Sequence, residues 1–142
     1  MSDDHWWRTH YGIEHDPSAL FCESNVLRYR PRPHVLVRQS RDGRSADLAR
    51  AVAAATRAGV TPEVSRASTE SDQALIDRKP WRRFGRVRII GSVGPELRQA
   101  LIDAEVDLVE EPVTSSGRLE LRHYLREQAV STTLHRFGNL VR

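Results

Sequence analysis

The segment "HVLVRQSRDGRSADLARAVAAATRAGVTPEVSRA", residues 34–67, decides the fold of this chain. Residues 34–39 form a short apolar run that is typical of a buried strand. An alanine-rich amphipathic stretch follows, with Ser45 in the N-cap position and Gly59 just past its end, which predicts a helix. Residues 61–67 have the composition of a second strand. This order predicts a βαβ unit with parallel strands.

A second unit of the same kind follows. Its pattern predicts a short helix over residues 70–79 that stops at Pro80, a strand over 85–92, a helix over 94–106 and a strand over 107–112. Strands that alternate with helices are typical of a parallel sheet with right-handed crossovers. The predicted fold class is therefore α/β, a small Rossmann-like parallel sheet with helices on both faces, plus extended N- and C-terminal arms.

Three regions are predicted along the chain. Residues 1–33 combine aromatic residues, histidine and proline without a period, which predicts an extended N-terminal arm. Residues 34–116 form the Rossmann-like βαβ core. Residues 117–142 form a C-terminal helix, over 117–126, and a docking tail whose β-branched part, 130–134, is either a closing strand or an extended segment.

The composition excludes several classes of protein. Charged residues make up 29% and hydrophobic residues 39% of the 142 residues, which is typical of a soluble globular domain and not of a disordered chain. The formal net charge is +3, and most arginines alternate with acidic residues as on solvated helix faces. Basic clusters occur only at residues 28–32 and at Arg82 and Arg83 beside Trp81. No nucleic-acid partner is expected, and a basic nucleic-acid-binding domain is kept as the second alternative.

Cys22 is the only cysteine, which excludes an internal disulfide and a Cys-rich zinc site and favours a reducing, cytoplasmic setting. A nucleophilic cysteine needs an activating context such as a helix start or a glycine-rich loop, and the sequence around Cys22 offers neither. Packing is the favoured interpretation of this side chain. No apolar run approaches the ~20 residues that a transmembrane helix needs, so no membrane span is predicted.

No metal site and no catalytic residue are predicted. His5, His10 and His15 recur every five residues, which on a helix spreads them around the axis, whereas ligands at i and i+4 share one side. The adjacent acidic pairs at residues 3–4 and 110–111 point to opposite faces of an extended segment, so they do not converge as a general acid and base.

Two glycines offer a possible cofactor site. Gly91 and Gly94 lie between a predicted strand and a helix start, where backbone N–H groups and the helix dipole favour a phosphate. The third glycine of a dinucleotide fingerprint is missing. A plain strand-to-helix turn is the competing interpretation, and the first alternative function is accordingly a small NAD-binding oxidoreductase module that uses these two glycines.

The two terminal segments have the character of docking surfaces. Residues 23–31 place Asn25, Arg28 and Arg30 in an alternation suited to an edge strand, and residues 127–139 carry hydrogen-bonding side chains on another extended segment. The surface that receives them is either this same domain, another chain or a further domain that is not part of this sequence.

Three stretches resemble the C-terminal region of the bifunctional proline-utilisation flavoenzymes, in their actinobacterial form. They are "WWRTHYGIEHDPSALFCESNVLRYRP" (residues 6–31), "HVLVR" (34–38) and "GRLELRHYLREQAVSTTLHRFGN" (117–139). Those enzymes join a proline dehydrogenase to an NAD-dependent L-glutamate γ-semialdehyde (1-pyrroline-5-carboxylate) dehydrogenase. The resemblance implies an extra Rossmann-like domain, related to the aldehyde dehydrogenase nucleotide-binding fold, that packs on the catalytic modules and helps to enclose the route of the intermediate.

The resemblance also implies which residues dock and what is missing. The family's catalytic residues have no counterparts in this chain, so a non-catalytic role is expected, with no cofactor bound here although the full-length family uses NAD and FAD. The expected partners are dehydrogenase catalytic modules, in the same or a separate chain, or a homo-oligomer. The implied docking residues are Glu127, Gln128, Ser131, Thr133, His135, Arg136 and Gly138.

Overall fold

The computed structural model describes residues 2–134. Its strands are β1 (Glu23–Pro31), β2 (Leu36–Gln39), β3 (Glu63–Arg66), β4 (Arg86–Ile90), β5 (Asp107–Val109) and β6 (Leu125–Thr133). Its α-helices are α1 (Ser2–Trp6), α2 (Ser45–Arg57), α3 (Asp72–Arg78), α4 (Pro95–Asp103) and α5 (Gly117–Glu120). Strands β3, β2, β4 and β5 form, in that order, a four-stranded parallel sheet, and β1 and β6 form an antiparallel two-stranded sheet.

Side chains alternate along the two central strands of the parallel sheet, so both of its faces carry apolar side chains. Helices cover each face and bury these side chains. On one face, Val35 and Val37 join a buried cluster with the alanines of α2. On the other face, Leu36 joins a separate cluster with Leu75 of α3 and Leu97 of α4. The predicted α/β class with a small Rossmann-like sheet is confirmed.

Residues 2–11 differ from the predicted extended arm, because α1 and one π-helical turn (Trp7–Tyr11) fold back on α2. The Asp3 carboxylate accepts hydrogen bonds of 2.7 and 2.8 Å from Arg50. Gly117 permits this close approach, since a Cβ there would lie 2.7 Å from the Asp3 Cα. A five-residue helix has almost no intrinsic stability, so its sequence pattern gives little signal and tertiary contacts decide it.

The two terminal segments predicted to dock are paired with each other. Strands β1 and β6 form nine antiparallel pairs, from Glu23 opposite Thr133 to Pro31 opposite Leu125. This antiparallel ribbon, called the β1–β6 ribbon below, spans about 30 Å at the usual rise per residue. The helix predicted over 117–126 ends earlier, in a 3₁₀ turn at Leu121–Tyr124, and β6 starts directly after it.

Each central strand of the parallel sheet carries one fully buried arginine, and the two point to opposite faces. Arg38 of β2 donates to Ser65 (2.7 Å) and to Asp72 of α3 (2.6 Å). Arg88 of β4 donates to Glu120 of α5 at 3.2 Å, and both side chains of that pair are fully buried. The sheet is therefore tied to a helix on each face by a charge-assisted hydrogen bond.

Glu120→Ala is expected to lower the free energy of unfolding by about 3–5 kcal/mol, because it leaves the Arg88 guanidinium buried without its partner. Glu110→Ala is the matched control, since it breaks the exposed Arg98–Glu110 pair and should cost less than about 1 kcal/mol. Guanidinium unfolding curves measure both. Equal losses in the two variants would contradict the prediction.

Stability is also expected to depend on His123. Burial, and then the positive charge of Arg88, lower the pKa of this imidazole to about 4, whereas an unfolded chain has a His pKa of about 6.5. The unfolded chain therefore binds the proton more readily between these values, and stability falls as pH drops from about 6.5 to 4. His123→Gln should flatten this fall in urea midpoints, and the exposed His5→Gln should leave it unchanged.

Candidate functional site

A crevice lies at the carboxyl ends of the parallel central strands β2 and β4, after which the chain continues to opposite edges of the sheet, to β3 and to β5. In doubly wound folds this is where ligands bind. A cavity of about 360 Å³ opens there, and it is lined by three serines, two aspartates, Arg41 and Ala67. Asp42 accepts hydrogen bonds from the Ser92 N–H (3.0 Å) and hydroxyl (2.8 Å). The β4–α4 turn thus already holds an anionic group from this chain.

Gly91 and Gly94 lie on that turn. Gly91 has φ +96°, a conformation that favours glycine, and a Cβ there would lie 2.5 Å from an Asp42 carboxylate oxygen. A Cβ on Gly94 would lie 3.0 Å from a carboxylate oxygen of Asp72. The hydrogen bonds from Ser92 lower the pKa of Asp42, which keeps it charged. Both glycines therefore face carboxylates, which repel a phosphate, and their role in cofactor binding stays a prediction.

The second candidate is the outer edge of β6. Backbone hydrogen bonds are present at both ends of the ribbon: the Arg32 N–H donates to the Tyr124 carbonyl, and the Leu134 N–H donates to the Cys22 carbonyl (both 2.9 Å). The backbone N–H and C=O groups of the even-numbered residues of β6 therefore point towards β1. The backbone groups of the odd-numbered residues of β6 point away from β1. Among the described residues no strand pairs with that edge, whose outward positions are Glu127, Ala129, Ser131 and Thr133.

The β1–β6 ribbon brings together seven of the residues predicted to dock. Four bind each other across the strands: Ser131 Oγ donates to Asn25 at 2.7 Å, and Arg28 Nε donates to Gln128 at 2.8 Å. The other three have exposed side chains, and they are Arg30, Glu127 and Thr133. The remaining predicted docking residues, His135, Arg136 and Gly138, lie outside the described residues.

The tip of the β1–β6 ribbon is apolar and exposed. Phe21 is 81% exposed, Leu134 60% and Leu20 50%. Cys22 is half-buried beside them. A cluster of exposed apolar side chains at the end of a projecting ribbon is typical of a contact surface.

The histidines of the first fifteen residues are used in packing. The rings of His10 and His15 lie 4.9 Å apart, and the His10 ring also contacts Tyr29 of β1 at 5.3 Å. Nowhere in the span 2–134 do three or more His, Cys, Asp or Glu side chains come together as a metal site would require. Nor does any helix in that span combine the length and apolar character needed to cross a bilayer.

A buried network that positions β6 was not predicted from the sequence. Glu120 accepts from Arg88, from the Tyr124 hydroxyl (3.3 Å) and from the Thr114 N–H (3.2 Å). Arg88 also donates to the Glu111 carbonyl at 2.6 Å. An arginine within the apolar run of β4 was the available signal, because a charged residue in a buried strand requires a partner.

No protein-family model and no curated protein sequence matches the chain. Among solved structures, the chain is similar to Proline Utilization A (PutA) from Corynebacterium freiburgense, with 36% sequence identity and a TM-score of 0.73. The match covers 97% of this chain and 13% of that chain. The chain is thus related to a domain-sized part of proline utilization A, which confirms the resemblance at that level, and the assignment to the C-terminal region stays a prediction.

NADH is not expected to bind to the crevice at the ends of β2 and β4, because the Asp42 carboxylate occupies the N–H donor of Ser92 that a phosphate would need. Titration with NADH while tryptophan fluorescence is followed should show no saturable change. Asp42→Asn, which removes the negative charge, serves as the comparison. Saturable NADH binding by the unaltered chain would contradict the expectation and favour the NAD-binding alternative.

Proposed function

We propose that this chain is a non-catalytic accessory domain of a proline utilization A system in proline catabolism, and that it packs on the dehydrogenase modules through the β1–β6 ribbon. The single observation that carries the proposal is the match to 13% of Proline Utilization A over 97% of this chain. A part of that size is one domain of a larger protein, and the proposal places it beside the catalytic modules. The activity of the whole enzyme would belong to those modules, a proline dehydrogenase and a 1-pyrroline-5-carboxylate dehydrogenase.

The geometry of the β1–β6 ribbon supports docking by strand addition. The outward edge of β6 carries alternate backbone N–H and C=O groups, which are suited to pair with an extended segment. The exposed apolar tip lies at the end of the same ribbon, so a partner that pairs with the edge would also meet Phe21 and Leu134. Backbone pairing would supply affinity, and the tip and side chains would supply specificity.

A homo-oligomer is the alternative use of the same edge. Two copies can place their β6 edges antiparallel about a two-fold axis, which would form a four-stranded sheet. The same backbone groups serve both arrangements, so only the measured stoichiometry separates them. Both arrangements predict that blocking the edge abolishes association.

Ala129→Pro is expected to abolish association without unfolding the chain. Residue 129 faces outward on an edge strand, so proline removes an outward N–H and leaves the ladder to β1 intact. Pull-down with the proline dehydrogenase and aldehyde dehydrogenase proteins of the source organism measures docking on the modules. Analytical ultracentrifugation of the chain alone measures self-association. We expect at least a tenfold loss of binding, as about 1.4 kcal/mol would give.

Ala53→Ser, at an exposed position on α2, is a matched surface control that should bind like the unaltered chain. Circular dichroism and thermal melting are used to check that the proline variant is folded. Full association by a folded Ala129→Pro variant would refute docking through this edge. A chain that neither binds the dehydrogenase proteins nor self-associates would refute the proposed function itself.

A further inference from the structure

One face of the β1–β6 ribbon gathers arginines that the sequence spreads over about a hundred positions. Arg28, Arg30 and Arg32 alternate along β1 and its end, so their side chains share one face. Arg126 lies directly opposite Arg30 on β6, on that same face. Arg86 of β4 joins them at the base, where it and Arg32 both pair with Asp107. These five side chains are called the arginine face below.

The arginine face has too few carboxylates for its charge. Glu14 pairs with Arg28 at 3.3 Å, and Asp107 serves both Arg32 and Arg86. Arg30 and Arg126 are exposed, and neither has an ion pair or a side-chain hydrogen bond within residues 2–134. The five arginines therefore meet two carboxylates, and the excess equals the formal net charge of the whole chain, +3.

The pairing of Arg30 with Arg126 acts against folding. Like charges directly opposite each other on an antiparallel pair are destabilising. Arg32 adds to the repulsion, since its pKa is lowered by burial first and then by the positive charges of Arg86 and Arg126, against the attraction of Asp107. A surface that costs stability in the isolated chain is typical of one that is used for binding.

We propose that the arginine face binds an acidic segment of the partner protein, one that presents clustered Asp or Glu side chains to Arg30 and Arg126. This inference rests on the proposed function, which supplies the partner protein. What it adds is the kind of side chain by which the arginine face would recognise that partner. The planar guanidinium groups suit clustered carboxylates, because each guanidinium can donate two parallel N–H hydrogen bonds to the two oxygens of one carboxylate. The adjoining edge of β6 would hold the same partner by backbone pairing.

A carboxylate partner fits this face better than a nucleic acid. Single-stranded nucleic acid is held by aromatic platforms beside the basic groups, and the positions next to the arginines on this face are Val26 and Gln128. The aromatic ring of β1, Tyr29, packs on the other face against Tyr11, with ring centroids 4.9 Å apart. Glu14 and Asp107 also interrupt the positive charge that a continuous phosphate backbone would follow.

The test measures binding of a fluorescein-labelled hexaglutamate peptide to the full chain by fluorescence anisotropy at low ionic strength. The double variant Arg30→Gln/Arg126→Gln is compared with Arg82→Gln/Arg83→Gln, which removes the same charge from another exposed arginine pair. We expect saturable binding that is about tenfold weaker in the first variant and within about twofold of the unaltered chain in the second. The melting temperature of the first variant should be unchanged or raised by up to about 3 °C.

Three binding results would overturn the proposal: no binding of hexaglutamate by the unaltered chain, equal weakening in both double variants, or tighter binding of an oligothymidylate than of the peptide. A fall of several degrees in the melting temperature of Arg30→Gln/Arg126→Gln would assign these arginines to folding and would also overturn it. The peptide assay needs no dehydrogenase module. If the chain associates with the modules but does not bind hexaglutamate, only the proposal for the arginine face is refuted. If the chain binds hexaglutamate but does not associate with the modules, only the proposed function is refuted.

Discussion

Glu120 has no exposed surface, and its two carboxylate oxygens accept hydrogen bonds from three separate segments of the chain. Arg88 reaches it from the centre of the sheet, Tyr124 from the turn that precedes β6, and the Thr114 N–H from the loop after β5. A buried carboxylate is tolerated only when it is paired and hydrogen-bonded, so these three donors must be in place together. The turn that starts β6, and hence the direction of the β1–β6 ribbon, therefore depends on one buried ion pair in the parallel sheet.

Arg38, the second buried arginine, links the sheet to a helix on the opposite face. It lies near the crevice, whereas Arg88 lies near the base of the β1–β6 ribbon. Arg38 donates to Ser65 and Asp72, and Ser65 in turn donates to Glu70. Its Nε has no hydrogen-bond partner among the described residues, so this network is less complete than that around Glu120. Buried ion pairs add little net stability over apolar packing, and their best-supported role is to fix one arrangement among several. We infer this role for the fully buried Arg88–Glu120 pair, which links β4 to α5. The Asp72 side chain is 41% exposed, so the Arg38–Asp72 pair is only partly buried.

The regular part of the fold follows from the sequence, because long periodic segments carry their own signal. The amphipathic pattern of α2 and the apolar run of β2 predict a βαβ unit that the structure contains. What the sequence does not reveal depends on partners distant along the chain. The short helix α1 is held by Asp3 with Arg50, and the pairing of β1 with β6 joins segments about a hundred residues apart. Neither contact has a local pattern, and the placement of the arginines on one face follows only from that pairing.

An isolated two-stranded ribbon is marginally stable in water, and this one receives unequal support along its length. At its base, Tyr29 packs against Tyr11 and His10, and a backbone bridge joins Leu27 to His15. Towards the tip the support consists of Asn25, which bonds to Ser18 and Ser131, all of them at the surface. Exposed apolar side chains and open backbone groups are thus found where the chain itself supplies the least packing, whereas the unpaired guanidinium groups of Arg30 and Arg126 lie near the base. Apolar side chains gain when any apolar surface covers them, and backbone and guanidinium groups gain only when the partner supplies matching hydrogen-bonding or charged groups. A partner that meets all three requirements explains why they occur together on one ribbon.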